Sequence, residues 1–587
     1  MRHTIIIIFS TMIFTCSPSQ ILVSENDKQQ HLDFIANEKF LLIPIKNGKL
    51  NDELIDCTKS KLWLIIDNQK IGPYDIIMPK TVNEVSWYGH FPLENFKGRN
   101  VKVVLEGATE EAFSLIWQSN NIPTDTFFYE ESLRPQLHFS AKTGWINDPN
   151  GLIYYKGEYH MYFQHNPFSL YWGNMSWGHA VSRDLIHWEE KPVVLFPSEN
   201  GTCFSGACFI DNENQLNLSK EGEDVLVAFY LKTKIGLAYA YSNDSGYSFS
   251  EYERNPVLTK SGARIDTPRP FWHKPTKRWI TTTYDFFINK EGEKRRCVGI
   301  YSSKDLTDWK YESRVEQDSW GDELCGCVDF FQLPIDGNRQ NMKWVMIFID
   351  GSYIVGDFDG HIFYTLSGKP AETRDRITSL VVPGNYYATM TWHNAPNNRR
   401  VQIAWMGGAG EFNEDIDFPG MPFNKQMSLP VDLTLHSTTK GPQLRINPIK
   451  EFESLRRRTY DYKDFVLQEE NPVTNTQGEL FELEVEFKPE PGSETIFDMR
   501  GIPVRYIADK QLLSCGSVET ALSPINDKIR LTIIQDLTSI EIFGNEGRVY
   551  IPMIKIPPDD SYQIESFTQK GKVHVNYLRL HELKSIW

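Results

Sequence analysis

No stretch of lysine and arginine in this chain is dense enough to form a phosphate-binding stripe, and the formal charge is −16, from 61 basic against 77 acidic residues. Nucleic acid and anionic membrane surfaces are therefore poor partners, since both are held first by clustered positive charge. Paired CxxC motifs are also missing, and Cys325-Gly326-Cys327 is too close-set for a zinc knuckle. No structural metal is expected on that spacing. Beyond Cys16, the cysteines are Cys57, Cys203, Cys208, Cys297, Cys325, Cys327 and Cys515, an odd set that cannot pair off within one chain. Most read as buried small hydrophobes. A glycine-rich phosphate loop and a nucleophile-elbow serine are absent, so no cofactor is predicted. His160, His165 and His179 lie close in sequence but without a carboxylate or cysteine at ligand spacing, which makes them hydrogen-bonding or stacking residues.

Long apolar runs are scarce too. The one at the start, Thr4 to Phe14 after Met1-Arg2-His3, is too short to span a bilayer as a mature helix and reads as an export signal over residues 1–20. Ile13-Phe14-Thr15-Cys16 resembles a bacterial lipoprotein processing site, which makes Cys16 a candidate lipid anchor. The expectation is an exported protein, either secreted or held as a cell-surface or periplasmic lipoprotein. Any membrane contact would run through that anchor.

What the chain has in quantity is aromatic and β-branched residues. With 587 residues at 40% hydrophobic content it can bury large cores, and 35 Phe, 26 Tyr and 15 Trp offer flat faces of the kind that stack on sugars, although most belong to cores. Residues 25–130 hold short β-rich runs, among them Lys39 to Ile45, Leu62 to Ile66 and Val101 to Leu105, separated by polar turns. That pattern predicts an N-terminal β-sandwich-like domain. Further on, Ser182-Arg183-Asp184-Leu185-Ile186-His187-Trp188 recurs as Ser303-Lys304-Asp305-Leu306-Thr307-Asp308-Trp309, with a looser copy from Ser242 to Phe249 between them. A polar turn followed by an aromatic, repeating at a period of about 60 residues over about 300, fits roughly five blades of a β-propeller, placed at 135–450. After a stretch near 450 to 465 rich in Arg, Tyr and Asp, which reads as a linker, β-patterned runs resume; Asn545-Glu546-Gly547 marks a hairpin. The 465–587 segment is predicted to be a C-terminal β-sandwich. The fold class is all-β.

One stretch carries chemistry. Trp145-Ile146-Asn147-Asp148-Pro149-Asn150-Gly151 places an aspartate among turn-forming residues, ahead of two aromatic runs joined by Lys156-Gly157-Glu158. The aspartate would stand at a bend where a hairpin begins, a usual place for a working carboxylate and equally for an Asx-turn that caps its own backbone.

That heptad, with Tyr162-Phe163-Gln164-His165-Asn166-Pro167 and Trp172 to Ala180, resembles the N-terminal catalytic core of family 32 of the glycoside hydrolases, which holds the invertases, inulinases and levanases. Phe204-Ser205-Gly206, Gly356-Asp357-Phe358-Asp359-Gly360 and Gln426-Met427-Ser428-Leu429-Pro430 follow in the family's order, so the resemblance covers roughly residues 135 to 587. It implies a five-bladed propeller with an attached β-sandwich and a retaining hydrolysis of β-fructosidic bonds in fructans or sucrose. In this family Asp148 matches the nucleophile, while Asn147, Gln164, Trp172, Phe204 and Ser205 match positions that line the fructose subsite. Retention requires a second carboxyl group about 5 Å from the first.

Two motifs depart from the family. Where an Arg-Asp-Pro is expected the chain reads Ile265-Asp266-Thr267-Pro268, so that Thr267 stands at the aspartate position and Asp266 at the arginine position. Asp266 would serve if the loop shifts by one residue. Where a Glu-Cys-Pro-Asp is expected, Gly326-Cys327-Val328-Asp329 leaves glycine in place of the acid/base glutamate. Either Glu323 or Asp322 reaches in from a rearranged loop, another residue donates the proton, or the site binds fructan with little turnover. The competing expectations are thus a catalytically impaired fructan-binding protein and a transfructosylase, which would use the same residues with a different acceptor.

Overall fold

The computed structural model describes residues 22–23 and 29–587, apart from 51–57, 124–127, 221, 260–264, 317–325, 371–377, 380, 382–383, 408–416, 469–471, 474–475 and 559–560. Asp322, Glu323, Cys325, Cys57 and the N-terminal signal with Cys16 lie outside the described residues. No described helix is long and apolar enough to cross a membrane.

Five four-stranded antiparallel units follow one another through the middle of the chain. Blade 1 runs through Gly144–Tyr155, Glu158–Asn166, Ser176–Ser182 and Glu189–Leu195. Blade 2 uses Cys203–Asp211, Val225–Lys232, Gly236–Ser242 and Ser250–Glu251, and blade 3 uses Asp266–His273, Arg278–Ile288, Lys294–Ser303 and Lys310–Val315. Blade 4 comprises Asp329–Ile335, Asn338–Ile347, Tyr353–Phe358 and Phe363–Thr365; blade 5 comprises Tyr387–Thr391, Val401–Trp405, Val431–His436 and Gln443–Pro448. Phe423–Asn424 pairs in parallel with Gly144 and Trp145, so chain from beyond the second strand of blade 5 returns to the first strand of blade 1. The ring closes on backbone hydrogen bonds, which removes the exposed edges an open sheet would leave.

The repeated Ser-x-Asp sequence is the turn from the third to the fourth strand in blades 1, 2 and 3. In blade 1 the Asp184 carboxylate accepts from the backbone N–H groups of Ile186 and His187, and Ser182 Oγ donates to it at 3.0 Å. Asp305 accepts from Thr307 and Asp308 in blade 3, and Asp244 accepts from Ser248 in blade 2. Leu185, Ser245 and Leu306 share a left-handed φ of 66°, 66° and 65°, a conformation that costs an ordinary side chain about 1 kcal/mol or more. The aspartate's bonds to the turn's own N–H groups offset that cost. Trp188 and Trp309, which end two of the copies, are buried in the blade cores.

The C-terminal unit is a sandwich of a six-stranded and a five-stranded sheet around a core that includes Phe481, Val485, Phe497, Ile533 and Leu580. The stretch near 450 to 465, expected to be a linker, instead holds the strand Arg456–Leu467, which pairs with Val573–Leu583 along the edge of the larger sheet. Its polar sequence reflects an edge position with mostly exposed side chains. At the propeller contact His138 lies buried between Asp536 at 2.6 Å and Glu541 at 3.1 Å. Burial opposes its protonation, but the two carboxylates prevail and hold its pKa up to about 9. The N-terminal strands form a five-stranded and a three-stranded sheet whose core takes in Phe168 and Leu170 from blade 1.

Candidate active site

The first strands of blades 1 and 2, 2 and 3, 4 and 5, and 5 and 1 pack side by side, and their beginnings are irregular. In blade 1, Pro149 pairs with Phe163 and Ile146 with His165, so Asn147 and Asp148 together face Gln164 alone. This is a β-bulge, with two residues opposite one, and it turns a side chain out of its regular alternation. Asp148 therefore sits on a bulge within a continuous strand, where a turn was expected. Lys156-Gly157, both at positive φ, make the tight hairpin turn that follows.

Blades 2, 3 and 5 carry the same device. Phe204-Ser205 is the extra pair in blade 2, Thr267-Pro268 in blade 3 and Ala388-Thr389 in blade 5. Thr267, Cys327 and Ala388 adopt left-handed φ values of 48°, 48° and 56° at the starts of blades 3, 4 and 5. Strain of this kind persists only where surrounding structure holds it, and it concentrates at functional sites. Here the Cys327 backbone N–H donates to Thr267 Oγ1 at 3.1 Å, which ties blade 4 to blade 3 at the mouth.

These bulges surround a cavity of about 460 Å³. Asn147, Asp148, Gln164, Trp172, Phe204 and Ser205 all line it, as do Asp266, Thr267 and Gly326. Both the residues that match the family and the departures from it are thus gathered into one place. Glu323 lies outside the described residues.

Asp148 is half-buried and firmly held. Its Oδ2 accepts from Ser205 Oγ at 2.5 Å and from Cys327 Sγ at 3.6 Å, and its Oδ1 accepts from Asn147 Nδ2 at 3.1 Å. Asn147 is itself oriented by Trp145 Nε1, which donates to its Oδ1 at 2.9 Å. A carboxylate fixed by donors on both oxygens can present a lone pair to an electrophilic carbon with little loss of rotational freedom. Burial pushes the Cys327 thiol well above its usual range, so it acts here as a neutral donor.

The opposite wall differs. Asp266 is nearly buried at 9% exposure and accepts from the Thr267 backbone N–H at 2.7 Å. On Asp148's own side, in blades 1 and 2, Gln164 is anchored to the Cys203 carbonyl at 3.2 Å, and Trp172, 52% exposed, stands edge-on to Phe204 with ring centroids 5.8 Å apart. An exposed indole at the rim of a cavity offers a flat apolar face on which a ring can stack.

Several lining residues carried no sequence signal: Tyr284, Arg296 and Tyr387, and above all Trp405. Trp405 is 2% exposed, and its Nε1 has no acceptor among the described residues. A buried N–H beside a cavity is a donor available to a ligand hydroxyl. His160 and His179, by contrast, lie nearly coplanar inside blade 1, joined by a 3.1 Å hydrogen bond between His160 Nδ1 and His179 Nε2, and are neutral because burial drives both pKa values down.

Comparison with known proteins agrees with the geometry. Residues 138–448 match the family model described as glycosyl hydrolases family 32 N-terminal domain, and residues 451–582 match its family 32 C-terminal counterpart. Over 509 residues the chain is 34% identical to a levanase of Bacillus subtilis (strain 168), covering 79% of this chain and 72% of that protein. An extracellular exo-inulinase of Aspergillus awamori is 27% identical over 542 residues, covering 79% of this chain and 97% of the inulinase. The crystal structure of exo-inulinase from Aspergillus awamori superposes with a TM-score of 0.69 at 26% identity, covering 78% of this chain and all of that one (100%).

Proposed function

We propose, from the premise that this chain belongs to family 32 of the glycosyl hydrolases, that it hydrolyses β-fructosidic bonds in fructans or sucrose by retaining double displacement. Asp148 is the nucleophile in this reading. Its carboxylate attacks the anomeric carbon of a terminal fructosyl unit, the bond to the leaving oxygen breaks, and water later releases the sugar from the enzyme. The observation that carries the reading is the Asp148 carboxylate, held by Ser205 and Asn147 inside a cavity lined by Gln164, Trp172 and Phe204. Gln164 and Asn147 bind sugar hydroxyls, and Trp172 and Phe204 cover an apolar face. Asp266 takes the part of the transition-state carboxylate that Thr267 cannot play, and Glu323 supplies the proton in place of Gly326.

The test is release of fructose and reducing sugar from levan, inulin and sucrose by the purified protein, with Asp148→Asn alongside. Turnover lost in the variant supports the reading, and full fructose release by the variant overturns it. Thr267 and Gly326, both on the cavity wall, favour a second reading, a fructan-binding protein with impaired catalysis. Polymer binding without turnover would select it. A transfructosylase would show itself by fructosyl products longer than the substrate.

The relatives' extracellular names support export of this chain as well. Attachment through a lipid on Cys16 is the form we favour for a cell-surface or periplasmic protein; the mass of the mature N-terminal peptide tests it.

A further inference from the structure

Two residues along from Thr267 and Cys327, the first strands of blades 3 and 4 place Arg269 and Asp329, both buried. Blade 5 adds Thr391 at the end of its first strand, and the connection from there to its second strand adds His393 and Arg400. The charges of Asp329, Arg269 and Arg400 all act on His393, so the four groups form one cluster deeper in the ring than the sugar-lining wall.

Asp329 does not pair with either guanidinium. Its Oδ2 accepts from the Thr391 backbone N–H at 2.8 Å and from Thr391 Oγ1 at 2.6 Å, and its Oδ1 accepts from the Phe330 N–H at 3.0 Å. Arg400 reaches Thr391 Oγ1 at 3.3 Å and lies over the Phe331 ring at 4.6 Å. His393, driven down to about 4 by burial, is uncharged near neutral pH. Within the cluster two guanidiniums share one carboxylate, and the donors of that carboxylate's oxygens are Thr391 and Phe330, so neither guanidinium is matched by it. Asp148 also lies within electrostatic reach of Arg269, but its own oxygens are occupied by Asn147, Ser205 and Cys327.

The unmatched donors lie on one side chain. Arg269 is 2% exposed, and its Nε and Nη2 atoms have no acceptor among the described residues. Burying a cation with unmatched N–H groups is among the costliest arrangements a folded chain can hold, and such groups are matched by a partner in nearly every known case. Nε and Nη2 form one edge of the guanidinium fork, the edge that grips a single compact acceptor. Asp329 close by disfavours a multiply charged ion.

We infer that this cluster is a binding site for a small monovalent anion of the halide class, gripped by Arg269 Nε and Nη2 in the field of Arg400. Occupancy does not depend on turnover, so the inference stands or falls separately from the proposed hydrolysis. Crystals of the full chain grown in sodium bromide, with chloride excluded, should show an anomalous difference peak beside Arg269 Nε and Nη2. In solution, the protein should melt on the order of 2 °C higher in sodium bromide than in sodium gluconate at equal ionic strength, and Arg269→Met should lose that difference. Ordered density at Arg269 without anomalous signal would mean water only and would overturn the proposal, as would an equal bromide effect in Arg269→Met. If that variant does not fold, the bromide peak in the unaltered protein decides.

Discussion

The two walls of the cavity are built by the same device and equipped differently. In blades 1 and 2, the bulges at Asn147-Asp148 and Phe204-Ser205 aim residues that match the family residue for residue, and the result is a carboxylate with donors on both oxygens. In blades 3 and 4, the backbone does the same kind of work, with Thr267 and Cys327 in left-handed conformations and a hydrogen bond between them, yet the side chains expected there are gone. The same backbone scaffold is thus kept on both walls while the side chains it carries differ. Backbone geometry is set by ring closure and strand pairing, whereas the proton donor is a single side chain that one substitution removes.

The sharpest way to break this contrast is to disable the intact wall. Asp148→Asn keeps the shape but removes the negative charge and turns one accepting oxygen into a donor; on the proposed reading fructose release from levan or inulin should fall on the order of 10⁴-fold, with polymer binding retained. Gly326→Glu tests the depleted wall in the opposite direction. If the missing acid limits turnover, restoring a carboxylate should raise kcat by about 10²- to 10⁴-fold, the usual worth of a general acid. No gain, with a loss on replacing Glu323 by Gln, would show that a proton donor already reaches the site from residues 317–325. A smaller effect is expected from Ser205→Ala, which deletes the 2.5 Å bond to Asp148 Oδ2. A hydrogen bond to a charged group is worth about 1.5–3 kcal/mol, so kcat should drop by about 10- to 100-fold while KM moves little.

Much of this was legible in the chain itself, and for identifiable reasons. The Ser-x-Asp turn announces the propeller because a left-handed residue between strands needs a carboxylate to bind the turn's N–H groups, and that need repeats in blades 1, 2 and 3. Asn147, Asp148, Gln164, Trp172, Phe204 and Ser205 stand in contiguous motifs, each carried on a strand or the bend beside it. Trp405 and Arg269 were not, because what makes them notable is an unmatched N–H in three dimensions, brought about by strands far apart in sequence. The strand Arg456–Leu467 was misread as a linker because an edge strand with mostly exposed side chains lacks the apolar alternation that marks a strand half-buried in a sheet.

Cys327 gives the finest test, because it belongs to the depleted wall and touches the intact one. Its Sγ lies 3.6 Å from Asp148 Oδ2, beyond the shorter Ser205 bond to the same oxygen, and a thiol is a weak donor. Burial holds the thiol above its usual pKa, so it adds no negative charge beside Asp148. Cys327→Ala leaves the backbone as strained as before, since alanine is no easier to place at a φ of 48° than cysteine. Any change in rate then reports the lost S–H contact, and about a two- to five-fold fall in kcat is expected, the scale of a weak hydrogen bond. Cys327→Ser, which keeps a donor on the same backbone, should recover most of it. A loss as large as that of Ser205→Ala would mean that the two walls share the task of holding Asp148, and the division between an intact and a depleted side would have to be redrawn at Cys327.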